Sequence, residues 1–421
     1  MIFHKKTLPS GLRLITVPMA DNPSVTVLVM VETGSKYETK KTNGISHFLE
    51  HMLFKGTPRR PKASDVSREL DSIGAHYNAF TTQEFTGYYA KAAAHHLETI
   101  LDVISDIYLN PLFDENEIKK EKGVIIEEMR MYQDLPQRHV QDVLIELLHG
   151  DQPAGWNVIG TEEIVRSFTA ADFKKYCQDH YVSCATTVIV SGSFQEKDIQ
   201  AQVEKVFGAI KDDSKKDKLP VKESQSAPQI KTVFKDTDQT HLAIGLRTFA
   251  IGDPRLPVMN VISTILGGGM SSRLFSRMRD ELGICYYINA SHDVSTDHGD
   301  LVISAGVDNS RVHEAIREIL AECKRLIETP VPADELKKAK DYIAGTTLLE
   351  LETSDSRAEF YGLQEVMKHK VELPDDLIKK ILEVTSADVQ NLAKKIFVNK
   401  GLNLALIGKT KESELKDKFS I

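Results

Sequence analysis

The chain has 421 residues, 41% hydrophobic and 27% charged, with a formal net charge of −8. These are ordinary globular values, which exclude collagenous, coiled-coil and disordered classes, and the mild acidity leaves no electrostatic footprint for nucleic acid. The four cysteines form no C-x-x-C pair and no disulfide framework, which fits a reducing compartment.

The opening residues, MIFHKKTLPSG, lack the apolar core and small-residue cleavage site of a secretory signal. No run of 18 or more apolar residues occurs anywhere, so a cytoplasmic protein that does not enter membranes is expected. Residues 25–31, VTVLVMV, read as the first buried strand. The segment that follows, NGISHFLEHMLFKGT at 43–57, carries the chemistry. On a helix, His47 and His51 lie about 40° apart, and Glu50 lies about 60° on the other side of His47. Two neutral imidazoles one turn apart can grip a single Zn²⁺, and an adjacent carboxylate can take a proton from water. The competing reading is a solvated histidine pair on a helix surface. Phe48, Leu49 and Met52 weigh against it, because polar groups set among apolar ones are costly unless something satisfies them.

A strand at 85–91 and amphipathic segments at 94–108, 114–131 and 137–148 come next. A catalytic zinc takes three protein ligands and keeps one position open. On the helix ENEIKKEKGVIIEEMRM, Ile118, Ile125 and Met129 mark the core face. Glu128 then falls at the edge of that stripe and Glu127 on the opposite side. Glu121, two turns before Glu128 on the same side, is placed to support a ligand from behind.

Residues 211–229 are charged, Ser-rich and broken by Pro220 and Pro228, which is linker chemistry. On either side of it the sequence repeats weakly. TAAD at 169–172 returns as TSAD at 385–388, and Glu117 with Lys119, Lys120 and Lys122 returns as Glu335 with Lys337, Lys338 and Lys340. Together they argue for a duplicated unit of roughly 200 residues. The expected division is 1–212, a linker at 213–229, and 230–421. Strands at 241–246 and 301–307 belong to the second copy. No glycine-rich βα turn opens the chain, so the class is α+β, each half a mostly antiparallel sheet covered by helices. The second copy has Thr264, Gly267, Gly268 and Thr346 where the first has His47, Glu50, His51 and Glu128, so the metal site is expected only once.

H-x-x-E-H, followed by an acidic helix, resembles the inverzincin motif of the pitrilysin family, particularly its bacterial and mitochondrial processing-peptidase branch. The family's spacing from the second histidine to its third ligand fits Glu127 and Glu128 alike; the glutamate seven residues earlier, Glu121, selects Glu128. The resemblance covers essentially the whole chain. It implies a zinc endopeptidase, with one Zn²⁺ per chain on His47, His51 and Glu128, and with Glu50 as general base. It also implies two related domains closed as a clamshell around peptide substrates, which add as a strand along Asn78, Ala79 and Phe80. Arg279 and Tyr286 match an Arg and Tyr that contact the peptide in the family. The glycine-rich stretch 266–274 is similar to the loop of the non-catalytic partner in heterodimeric relatives; having both elements in one chain favours a homodimer. The alternative is a non-catalytic structural or assembly subunit, or a zinc-binding protein, of the same fold.

Overall fold

The structure, a computed structural model, describes residues 2–415 and 419–421. In the first half, β1 (His4–Thr7), β2 (Arg13–Pro18) and β3 (Ser24–Val31) precede α1 (Ile45–Leu53) and α2 (Ala63–Ser72). Then come β4 (His76–Thr81), β5 (Thr86–Ala93), α3 (Leu97–Leu109), α4 (Glu115–Asp134) and α5 (Pro136–His149). This half ends with α6 (Glu162–Ser167), α7 (Ala170–His180), β6 (Thr186–Gly192) and α8 (Glu196–Phe207). Residues 211–228 form no helix or strand, and β7 (Gln229–Phe234) opens the second half. After it come β8 (Gln239–Arg247), α9 (Leu256–Gly267), α10 (Arg273–Phe275), β9 (Cys285–Val294) and β10 (Gly299–Asp308). The chain closes with α11 (Val312–Glu328), α12 (Ala333–Glu350), α13 (Ser354–Lys368), α14 (Pro374–Leu382), α15 (Ser386–Ile396) and β11 (Asn403–Gly408).

The two sheets share one topology. Their strand orders are β1-β2-β6-β3-β5-β4 and β7-β11-β8-β10-β9, so the second repeats the first without β1. Each has a single parallel pair, β2 with β6 and β7 with β11, and the remaining neighbours are antiparallel. The continuous apolar run of β3 is explained by its place between β6 and β5, where both of its faces are buried. Among the described residues β4 pairs only with β5, and its alternating exposure is that of an edge strand.

The chain forms two compact units, and they are not the two halves of the sequence. One comprises residues up to Met129, Trp156–Leu219 and Leu348–Leu373; the other comprises Arg130–Gly155, Pro220–Thr347 and Pro374–Ile421. The expected boundaries 1–212 and 230–421 therefore miss an exchange of helices. The division falls within α4 and within α12, and the helix after each covers the sheet of the other copy. In the second unit α5 buries Val140, Val143, Leu144 and Leu148 against Ala243, Val302, Ala405 and Ile407. In the first unit α13 lies on β3 and β6, close enough that a Cβ on Gly362 would meet Met30 Sδ at 2.6 Å. An amphipathic stripe states that a helix covers something apolar, not which of two similar sheets it covers. Among the described residues no helix is long and apolar enough to cross a membrane.

Candidate active site

α1 starts abruptly, and its start is held by one carboxylate. Gly44 precedes it at φ +96°, with its Cα so close to Ile159 that a Cβ would sit 2.5 Å from that carbonyl oxygen. Glu38 accepts from the backbone N–H of Gly44 at 2.7 Å and of Ser46 at 2.8 Å, and from Asn43 Nδ2 at 3.0 Å. It thereby satisfies donors that a helix N-terminus leaves open. Burial pushes the Glu38 carboxyl up to about 7, against those hydrogen bonds, which favour its anion. Ile45, Phe48, Leu49, Met52 and Leu53 are buried, with Phe48 edge-on to Phe173. This packing turns His47, Glu50 and His51 toward the other side of the helix.

There they meet α4. The rings of His47 and His51 lie 4.8 Å apart. Glu128 Oε1 is 3.7 Å from His47 Nε2 and Glu128 Oε2 is 3.5 Å from His51 Nε2. The three offer ligand atoms all within 4.8 Å of one another. Direct hydrogen bonds would be shorter; two ligands about 2.0–2.1 Å from one tetrahedral ion stand about 3.3–3.4 Å apart. The donor set thus fits zinc, and Nε2 is the His47 nitrogen that faces Glu128. Burial, reinforced by the neighbouring His51, pulls the His47 imidazole down to about 3, which keeps it in the neutral ligand form. Glu127 is exposed on the far side of α4.

Two further groups tune this cluster. Glu121 Oε1 lies 2.8 Å from His51 Nδ1, and its Oε2 accepts from Lys55 Nζ at 2.6 Å. Burial works against the Glu121 charge, but the bonds from His51 and Lys55 more than offset it and hold the carboxyl below its usual value. The Thr81 hydroxyl donates to Glu50 Oε2 at 2.6 Å. Burial raises the Glu50 carboxyl above the usual range despite that bond and His51, and the Glu128 charge adds to the rise. Sequence reasoning missed Glu38, Lys55 and Thr81. Lys55 stands four residues after His51, a spacing that could have suggested it. Glu38 lies only six residues before Gly44 but at no capping-box spacing, and Thr81 is brought to α1 by the fold alone.

Asn78, Ala79 and Phe80 lie on the edge strand β4, where the Ala79 N–H is taken by the Asn78 side chain at 2.9 Å. In the second unit Arg279 belongs to a π-helical turn, Ser276–Glu281, and Tyr286 to the edge strand β9. The Arg279 guanidinium lies 5.5 Å from the centre of the Tyr286 ring, and that ring is 72% exposed. Among the described residues Arg279 makes no ion pair with Asp280. Gly267 is required by close approach, since a Cβ there would fall 2.2 Å from the Ala290 nitrogen of β9. Neither Thr264, Gly267 nor Gly268 carries a metal-ligand side chain.

Residues 13–162 match the family model described as insulinase, peptidase family M16, and residues 167–343 match that of the peptidase M16 inactive domain. The chain is 35% identical over 402 residues to YmxG, an uncharacterized zinc protease of Bacillus subtilis, across 94% of this chain and 96% of that one. It is 32% identical to an uncharacterized zinc protease of Rickettsia felis, across 94% and 95% of the two chains. Among solved structures, a protease from Helicobacter pylori superposes with a TM-score of 0.91 at 23% identity, covering 97% of this chain and 99% of that one. A chain of complex III2 from Candida albicans superposes at 0.85 and 17% identity, covering 99% and 100%. At such identities these two likenesses concern the fold alone.

Proposed function

Because this chain belongs to the insulinase family of peptidases, M16, we propose that it is a zinc-dependent endopeptidase for peptides or unfolded segments, holding one Zn²⁺ on His47, His51 and Glu128. The observation that carries the reading is the convergence of those three side chains beside a partly buried Glu50. Bound there, zinc supplies Lewis-acid polarisation of the scissile carbonyl and makes water more acidic. Glu50 takes the proton of the attacking water and returns it to the leaving amine. Its raised pKa makes it a stronger base than an exposed carboxylate, and the Thr81 hydroxyl fixes one of its oxygens so that the other faces the reaction. Glu121 holds the proton on His51 Nδ1 and leaves Nε2 to coordinate.

The free edge of β4 suits a substrate that adds as a strand along Asn78, Ala79 and Phe80, with main-chain hydrogen bonds serving many sequences. For Arg279 and Tyr286 the proposal is contact with the peptide. A guanidinium can hold a substrate carbonyl, and a phenol can donate to the oxyanion of the tetrahedral intermediate. We also retain the homodimer, which sedimentation of the purified chain tests.

A quenched fluorescent peptide provides the direct test of function. Cleavage should stop on chelation, return with zinc, and be absent from His51→Ala. Turnover by metal-free His51→Ala would overturn the assignment, and a wild-type chain that binds zinc without turnover would leave only a binding protein.

A further inference from the structure

A second cluster of ligand-type side chains lies in the second unit. His149 is the last residue of α5, His298 precedes β10, and Asp300 is in β10; each is only 4% exposed. They offer ligand atoms all within 4.8 Å of one another, the same spacing that His47, His51 and Glu128 reach. The two imidazole rings are 4.5 Å apart, against 4.8 Å for His47 and His51. His149 Nε2 is 2.8 Å from Asp300 Oδ2, a direct hydrogen bond that coordination of both groups to one ion would replace. His298 Nδ1 is 2.8 Å from Asp297 Oδ1, the support that Glu121 gives His51. A carboxylate against Nδ1 makes it the protonated nitrogen and leaves Nε2 with the lone pair a metal needs.

The cluster is short of positive charge. Asp300 Oδ1 and His149 Nδ1 are buried without hydrogen-bond partners. Among the described residues the only ion-pair partner of Asp300 is His149. Arg247 stands opposite Asp300 on β8, but its guanidinium donates to Gln225 at 2.8 Å. On the other flank, β9 sets Asp293 opposite Asp300, which adds a second carboxyl and no cation. A buried carboxylate with one partner and a carboxyl neighbour is costly, and a divalent cation relieves that cost.

We propose that His149, His298 and Asp300 form a second, structural site for a divalent transition metal of the zinc type. The three residues supply the ligands, and their burial keeps substrate out. The ion ties the end of α5 to β10. Since α5 is the helix that the first half of the sequence lends to this sheet, the ion anchors the exchanged element. The rival is a plain histidine–aspartate hydrogen bond that holds no metal.

The test counts metal in the full chain, with His51→Ala as the background that empties the peptidase site. After chelation, wild type should take up two equivalents of zinc and His51→Ala one. Adding His298→Gln or Asp300→Asn to His51→Ala should abolish the remaining equivalent and the zinc-dependent rise in unfolding midpoint. Asp300→Asn keeps the shape and a hydrogen bond to His149, so it covers the case in which His298→Gln fails to fold. Titration with Co²⁺ should give visible absorption in His51→Ala and none in a folded double variant. A His51→Ala chain that takes up no zinc overturns the proposal, as does an equivalent retained by a folded double variant. Neither outcome depends on turnover, so the peptidase reading stands or falls separately.

Discussion

Glu50 is the side chain whose replacement separates proton transfer from metal binding. Glu50→Gln keeps the shape and the bond from Thr81 while removing the base. Zinc content should stay near wild type, and kcat should fall by about 10²-fold or more. Loss of zinc with activity would instead make Glu50 a ligand. Glu128→Gln should strip the metal, whereas Glu127→Gln, on the exposed side of α4, should retain it; dialysis followed by metal analysis distinguishes them. The pairing of His47, Glu50 and His51 was readable from helical periodicity alone, and so was the choice of the inward glutamate, because both rest on angles within one helix. Thr81 was not readable: it follows Glu50 by 31 residues and reaches it only through the placement of β4.

At the scale of elements, the position of α1 depends on how it begins. Gly44→Ala adds a Cβ at φ +96° against the Ile159 carbonyl, and should destabilise the protein by more than about 1 kcal/mol. Denaturant unfolding of the chelated protein measures this, and zinc affinity should fall with it because the ligands ride on the displaced helix. An unchanged midpoint would mean that the loop before α1 yields freely. β9 and the π-helical turn beside it carry the other element-scale prediction. Tyr286→Phe should lower kcat by about 10²- to 10³-fold with zinc intact, the usual worth of one oxyanion donor. Arg279→Ala should mainly raise KM if the guanidinium grips ground and transition states alike. A fully active Tyr286→Phe enzyme would return that ring to an edge-strand role. The contact of Arg279 with the Tyr286 ring was not legible in the sequence, since a π-helical turn gives no signal of its own there.

For the whole molecule, the exchange of α5 and α13 decides how the chain can be divided. A fragment 1–212 lacks α13, which covers β3 and β6, and a fragment 230–421 lacks α5, which covers β8 and β11. Each alone should expose apolar sheet surface, bind a hydrophobic dye and show no peptidase activity, and co-expression should restore activity. Cooperative unfolding of an isolated 1–212 fragment would show that its sheet does without α13. The features legible from residue order are local or periodic: the helix bearing two histidines and a glutamate, the inward face of α4, the buried strands, the repeat and the single copy of the ligand set. These follow from residue types at fixed angular spacing, which survive any packing of the elements. Long-range packing sets which sheet each amphipathic helix covers, and it brings His149 to Asp300 across 151 residues of chain. The physical reason is that apolar burial is non-directional: two sheets of like topology offer α5 and α13 equivalent surfaces, and packing of the whole chain selects between them.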